Sequence, residues 1–151
     1  MIDRVARDRF SQGIRALAAG LVTNDEFEDT RYYPIKSADR AISAIYQDGA
    51  SCLYADEDDV RLTGTRALSR EDKLQVARWV LFLKTDLPYE WPMLSFPRMF
   101  ALSLANLLTL GLAGRLYSNW CIRQGEPEVW PFIRHSDYAA ALERPVYLKS
   151  N

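Results

Sequence analysis

The only histidine of the chain, His135, stands next to Ser136 and Asp137. A histidine beside a carboxylate could act as a general base, and a neighbouring serine could be its nucleophile. Adjacent residues rarely reach that geometry, and Ser136 also fits the N-cap of a helix with Asp137 in its first turn. The pattern favours the helix cap, so we assign no catalytic residue.

Four consecutive acids, Asp56, Glu57, Asp58 and Asp59, could hold a hard cation, because such ions bind several carboxylates at once. The spacing of an EF-hand loop is absent, and a solvated acidic loop is the simpler interpretation. We therefore expect no metal and no other cofactor. A small hydrolase or metal-dependent enzyme that uses Asp or Glu side chains and His135 is an alternative.

The sequence contains no pattern that predicts binding of nucleotides or nucleic acids. The glycine patterns of dinucleotide-binding and P-loop proteins are absent, and the arginines at 4, 7, 9 and 15 alternate with acids. The formal net charge is −1, which gives no general attraction to nucleic acid.

The sequence supports protein binding better than catalysis, because two acidic segments, 25–29 and 56–59, lie beside tyrosines. Such a patch can steer a basic partner and anchor it through aromatic rings. The predicted partner-binding residues are Asp25, Glu26, Glu28, Asp29, Tyr32, Tyr33, Tyr54, Asp56, Glu57, Asp58, Asp59 and Glu90.

Amphipathic helices must position these residues. An apolar stripe predicts a helix over 2–19 that Gly20 ends, and Thr23 with Glu26 forms a capping box for the acidic turn. Ser37 can cap a second helix over 38–54, in which Gly49 costs about 1 kcal/mol relative to alanine. That cost indicates either a close crossing at Gly49 or a break in the helix. Residues 56–64 could be a strand or an irregular connection.

The third helix, over about 70–84, becomes apolar on every side towards its end, which predicts a central buried helix. Ser69 and Asp72 resemble a capping box at its start. The segment 86–92 follows, and its two prolines hold Tyr89, Glu90 and Trp91 in a stiff, non-helical conformation. We expect Tyr89 and Trp91 to cover the core, while Glu90 must reach solvent, a basic group or a partner.

Residues 99–114 form the longest uncharged run. A bilayer span takes about 20 apolar residues, and this run is shorter and interrupted by Ser103, Asn106 and Thr109. A buried helix is favoured, and contact with a membrane surface is the alternative. Residues 116–132 hold two β-prone runs across a turn, which predicts a small β-hairpin. A last helix follows Ser136.

The fold expected is mainly α with a minor β part. At 151 residues the chain has the size of one domain, 1–151, with four to five helices around the helix at 70–84 and a hairpin near 116–132. Cys52 and Cys121 fit no zinc or redox spacing, and the N-terminal residues have no apolar segment of a secretory signal. We expect a cytoplasmic protein.

Five segments occur in one order: Thr23–Asp29, Val76–Leu83, Asp86–Pro92, Asn106–Gly111 and Val129–Phe132. With them the chain resembles a family of small uncharacterised bacterial proteins over most of its length. The resemblance implies a bacterial origin and no particular activity, cofactor or catalytic residue. The leading hypothesis is a non-enzymatic protein that binds another, basic protein, such as an immunity protein that neutralises a toxin.

Overall fold

A computed structural model of the chain describes residues 1–54, 58–91, 96–143 and 145, without the side chains of 96–99 and 121–123. These residues form one mainly helical domain, as the sequence predicts. Its helices are Arg4–Ala18 (α1), Asn24–Phe27 (α2), Arg40–Gln47 (α3), Arg70–Leu83 (α4), Phe96–Leu108 (α5), Leu112–Gln124 (α6) and His135–Glu143 (α7).

Shorter helical turns complete the chain. A π-helical turn, Glu28–Tyr32, continues α2, and 3₁₀ turns lie at Ala50–Leu53, Gly64–Arg66 and Pro127–Val129. Residues 58–63 are therefore an irregular connection in the described part of 56–64.

The predicted β-hairpin near 116–132 is wrong, since the described residues contain no strand. Its first half belongs to α6 and its second half contains the 3₁₀ turn at Pro127–Val129. Leu116, Tyr117 and Trp120 have β-prone side chains, but their spacing also suits a helix, and the helical context prevails. Because α2 and α6 are additional helices, the described count exceeds the four to five expected.

Local capping signals set most helix starts. Thr23 and Ser69 form the capping boxes predicted for α2 and α4, and Gly20 follows α1 with φ of 66°. The N-cap of α3, however, is Asp39 and not Ser37. The Ser37 hydroxyl instead donates to Asp3 and accepts from the Asp39 amide, because Asp39 is held in place by other partners.

Gly49 is both a close crossing and a helix break. Helix α3 ends at Gln47, and a Cβ atom on Gly49 would lie 2.7 Å from the Trp79 ring and 2.7 Å from the Ile45 carbonyl oxygen. The chain passes so near α4 here that only a hydrogen fits in place of a side chain.

Helix α4 is the central buried helix, as predicted. It packs against α1, α3 and α7. Its last five residues, 79–83, are all buried, which explains why the sequence shows no polar face there. The buried members are Val76, Trp79, Val80, Leu81, Phe82 and Leu83.

The proline segment after α4 covers the core, as expected. Tyr89 and Trp91 are buried, and the Trp91 indole donates to the carbonyl oxygens of Pro131 and Phe132, both at 3.1 Å. The Trp130 indole donates to the Tyr89 hydroxyl at 3.1 Å. These bonds join the segment to the turn before α7.

A buried ion pair ties three segments together. Arg7 of α1 donates to Asp39 from Nε at 2.6 Å and from Nη2 at 3.1 Å, and its side chain is fully buried. Arg7 Nη1 also donates to the carbonyl oxygens of Thr85, at 3.1 Å, and Leu87, at 2.9 Å. Helix α1, the start of α3 and the chain after α4 therefore meet at one guanidinium group.

The prediction of a buried helix over 99–114 is wrong. The chain reverses at Leu110 and Gly111, which both have positive φ, so α5 and α6 form an antiparallel hairpin. From Phe100 to Trp120 every residue is exposed or half-buried. No helix among the described residues has the length and apolar character needed to cross a bilayer.

Replacing Trp79 by alanine should lower the free energy of unfolding by about 3 to 5 kcal/mol, because it opens a cavity beside Gly49. Urea unfolding would measure the change. Leu74→Ala, at an exposed position of the same helix, is the matched control and should have little effect. Equal stabilities of Trp79→Ala and wild type would contradict the assigned core.

Replacing Arg7 by alanine should lower the free energy of unfolding by about 3 to 5 kcal/mol, because Asp39 would be buried without its counter-ion. Thermal and urea unfolding would show the loss. Arg9→Ala removes the same charge at an exposed position of the same helix and should change stability little. A loss no larger for Arg7→Ala than for Arg9→Ala would refute the role of the buried pair.

Candidate functional site

The Glu28 carboxylate accepts three tyrosine hydroxyls. Tyr46 and Tyr54 donate to Oε1 at 2.8 Å and 2.5 Å, and Tyr33 donates to Oε2 at 3.1 Å. Glu28, Tyr46 and Tyr54 are half-buried, whereas Tyr33 is exposed. We call these four residues the Glu28–tyrosine cluster.

The cluster gathers residues from three parts of the chain. The π-helical turn closes with the Tyr33 amide donating to the Glu28 carbonyl oxygen at 2.8 Å, which returns the Tyr33 side chain to Glu28. Tyr46 comes from the last turn of α3, and Tyr54 follows the 3₁₀ turn after Gly49. The break at Gly49 thus lets two tyrosines from one chain segment reach the same carboxylate.

Tyr32 lies behind the cluster and connects it to the core. Its ring stacks on that of Tyr46, with centroids 3.5 Å apart, and lies 5.8 Å from the ring of Phe10. Phe10 is fully buried in α1. The cluster is therefore mounted on packed aromatic rings and has little freedom to move.

Hydrogen bonding fixes the protonation states of the cluster. Burial raises the pKa of the Glu28 carboxyl, but the hydroxyls of Tyr54, Tyr46 and Tyr33 together outweigh it, so the net pKa lies below the ordinary 4.5. Burial and the hydrogen bonds to Glu28 raise the pKa of Tyr46 and of Tyr54. At neutral pH the Glu28 side chain is therefore a carboxylate that accepts hydrogen bonds from the neutral phenols of Tyr46 and Tyr54.

A two-way hydrogen bond brings the two acidic segments together. The backbone amide of Asn24 donates to the Val60 carbonyl oxygen at 3.1 Å. The backbone amide of Val60 in turn donates to the side-chain oxygen of Asn24 at 2.6 Å. This pairing places Asp59 near Asp25. Asp25 is exposed, and its pKa is raised by slight desolvation and by repulsion from Asp59, Asp29 and Glu28.

Some acids of the two segments have basic partners. Glu26 lies 3.8 Å from Arg61, and Asp58 lies 3.6 Å from Arg66. Within the described part of the chain, Asp25, Asp29 and Asp59 form no ion pair, although the Asn24 side chain donates to Asp25 at 3.1 Å. We call these three acids the unpaired acids.

The structure unites most of the predicted binding residues and separates one. The acids of 25–29, the tyrosines at 32, 33 and 54, and Asp58 and Asp59 occupy one region. Asp56 and Glu57 lie outside the described residues. Glu90 is exposed at a separate cleft beside Leu87 and Asp137.

Sequence reasoning missed Tyr46 as a member of the site. Its position in the apolar stripe of the predicted second helix indicated a core residue, and its ring does pack on Tyr32. A tyrosine in such a stripe still carries a hydroxyl that needs a partner, and that requirement was the available signal.

The residues considered for catalysis lie apart from this site. His135 is the first residue of α7, exposed, with its ring edge-on to Tyr138 at 6.1 Å. Ser136 is thus inside the first turn and is not the N-cap predicted. Among the described residues, no three His, Cys, Asp or Glu side chains are grouped to hold a metal ion.

Comparisons with protein-family models, with curated proteins and with solved structures find no match for this chain. The resemblance to a family of small bacterial proteins therefore stays a prediction.

Glu28→Gln should lower the free energy of unfolding by about 1 to 3 kcal/mol at pH 7. The glutamine side-chain nitrogen cannot accept a hydrogen bond from a tyrosine hydroxyl as the carboxylate oxygen does. The folded pKa of Glu28 lies below 4.5, so the carboxylate stabilises the fold above that value and this stabilisation is lost as pH falls through the folded pKa. Urea unfolding at neutral and acid pH should show the two proteins converging.

Glu26→Gln is the control for this pH dependence. Glutamine at this position keeps the acceptor oxygen of the capping box, so stability should change little at any pH. A constant difference between Glu28→Gln and wild type across the acid range would contradict the charged cluster.

Proposed function

We propose that the chain is a non-enzymatic protein-binding protein that docks a basic protein on the surface formed by the Glu28–tyrosine cluster and the unpaired acids. The carrying observation is that hydrogen-bonded tyrosines lie beside three carboxylates that form no ion pair with any described residue. Tyrosine supplies contact area at low entropic cost, and unpaired acids attract a basic surface.

Glu28 and the unpaired acids have different roles in this proposal. Three hydroxyls already occupy Glu28, so it positions the tyrosines and offers little free acceptor capacity. Asp25, Asp29 and Asp59 supply the attraction, because their mutual repulsion is relieved when a cation approaches. The partner would therefore place lysine or arginine side chains against the acids.

Tyr33 is the exposed anchor of the surface. About 58% of the residue is accessible, yet its hydroxyl is fixed by Glu28 and its ring lies 5.3 Å from that of Tyr32. An aromatic ring held in this way loses little freedom when a partner covers it, which favours binding.

The most concrete form of the proposal is a bacterial immunity protein that neutralises a cognate toxin. A small domain with a rigid, acidic docking surface suits an inhibitor that covers a basic surface of its target. The test of this form is co-expression with the product of a neighbouring gene: protection from its toxicity should require the acids.

The triple variant Asp25→Asn, Asp29→Asn and Asp59→Asn should weaken capture of a basic partner from extracts of the native host by about tenfold or more, and wild-type capture should fall with salt. Quantitative mass spectrometry of the captured proteins would measure both effects. The triple variant should remain folded, because its acids are exposed.

The matched control is the variant Glu71→Gln, Glu128→Gln and Glu143→Gln, which removes the same charge at exposed positions elsewhere. It should capture the partner as well as wild type does. Equal losses in the two triple variants, or no basic partner captured by wild type, would exclude the proposed surface.

A further inference from the structure

We infer that the α5–α6 hairpin inserts its tip into the surface of an anionic lipid bilayer. Four leucines, at 107, 108, 110 and 112, surround the turn and are 74%, 76%, 97% and 60% exposed. An apolar patch of this kind on a soluble domain marks a binding surface. The inference concerns a second surface and does not depend on the acidic one.

The backbone amides at the tip of the hairpin have hydrogen-bond partners within the protein and do not need water. The first amides of a helix normally lack partners within the helix, and lipid offers none. Here the Gly111 amide donates to the Asn106 carbonyl oxygen and the Gly114 amide to the Asn106 side chain, both at 2.8 Å. The Leu112 amide donates to the Thr109 carbonyl oxygen at 3.1 Å, and the Ala113 amide to the Thr109 hydroxyl at 3.0 Å.

Asn106 and Thr109 therefore have a role that their positions in the apolar run did not reveal. They satisfy the amides at the start of α6, and a Cβ atom on Gly114 would lie 2.6 Å from the Asn106 side-chain oxygen. The side-chain oxygens of Asn106 and Thr109 thus bond to amides within the turn, while the leucines around it are exposed. Such an arrangement brings an apolar tip into lipid without exposing unpaired amides.

The charges of the hairpin favour an anionic bilayer. Residues 96–124 contain three arginines, at 98, 115 and 123, and no acid, whereas the whole chain has a net charge of −1. Anionic headgroups attract basic residues beside an inserted segment. Two hairpins facing each other would repel, which disfavours a second copy as the occupant.

The spacing along the hairpin matches a shallow insertion. Arg115 is three residues from Leu112, a rise of about 4.5 Å, and its long side chain can reach the headgroups. Trp120 is eight residues from Leu112, a rise of about 12 Å, and its ring lies 5.7 Å from that of Tyr117. Tryptophan and tyrosine favour the bilayer interface, so they bound the depth of insertion.

The test is flotation of the purified full chain with vesicles of phosphatidylcholine alone or mixed equally with phosphatidylglycerol. Wild type should float with the mixed vesicles, and Arg115→Gln should reduce its preference for them. Leu110→Asp should lower the bound fraction at least about tenfold, since one inserted leucine is lost. Circular dichroism should show that Leu110→Asp is folded, because Leu110 is fully exposed.

Leu21→Asp, at a 69% exposed leucine outside the hairpin, is the matched control and should float like wild type. Recovery of wild type in the lipid-free fraction with both vesicles would overturn the inference, as would equal losses for Leu21→Asp and Leu110→Asp. A dimer that requires Leu110 in light scattering, without flotation, would instead identify a second copy as the occupant. The triple asparagine variant of the acidic surface should still float.

Discussion

The buried pair between Arg7 and Asp39 is the constraint on which the other features depend. A charge without access to water is stable only when it is paired and its remaining hydrogen-bonding atoms are satisfied. Arg7 meets this condition by using the Asp39 carboxylate and the carbonyl oxygens of Thr85 and Leu87. Helix α1, the start of α3 and the chain after α4 must therefore come together before either ion can be buried.

The candidate site and the C-terminal region both follow from this meeting point. Asp39 also accepts the Ala41 amide as the N-cap of α3, so the pair determines where α3 begins and hence where Tyr46 is presented to Glu28. Arg7 also holds the Leu87 carbonyl oxygen, so the residues after Leu87 lead to the turn before α7. There the Trp91 indole donates to its two acceptors. One ion pair thus orders two regions that are distant in sequence.

Short-range signals were enough to predict the caps at Thr23 and Ser69, the end of α1 at Gly20 and the buried α4, because the atoms involved lie within four residues. Long-range partners could not be predicted: Asn24 reaches Val60, and Glu28 reaches Tyr54. Ser37 satisfies the local signal for a cap, but the N-cap of α3 is Asp39, which Arg7 holds from a distant part of the sequence. For the run at 99–114, hydrophobicity indicated a preference for an apolar environment but not whether protein or lipid supplies it.

The π-helical turn at Glu28–Tyr32 has a consequence for how this chain could vary through evolution. A π turn holds one residue more than the α-helical turn it replaces, because its hydrogen bonds join residues five apart instead of four. Deleting one residue here would restore α-helical geometry and rotate Tyr33 away from Glu28. The Glu28–tyrosine cluster therefore depends on the number of residues in this turn as well as on their side chains. A related chain with one residue fewer at this turn would have lost the cluster.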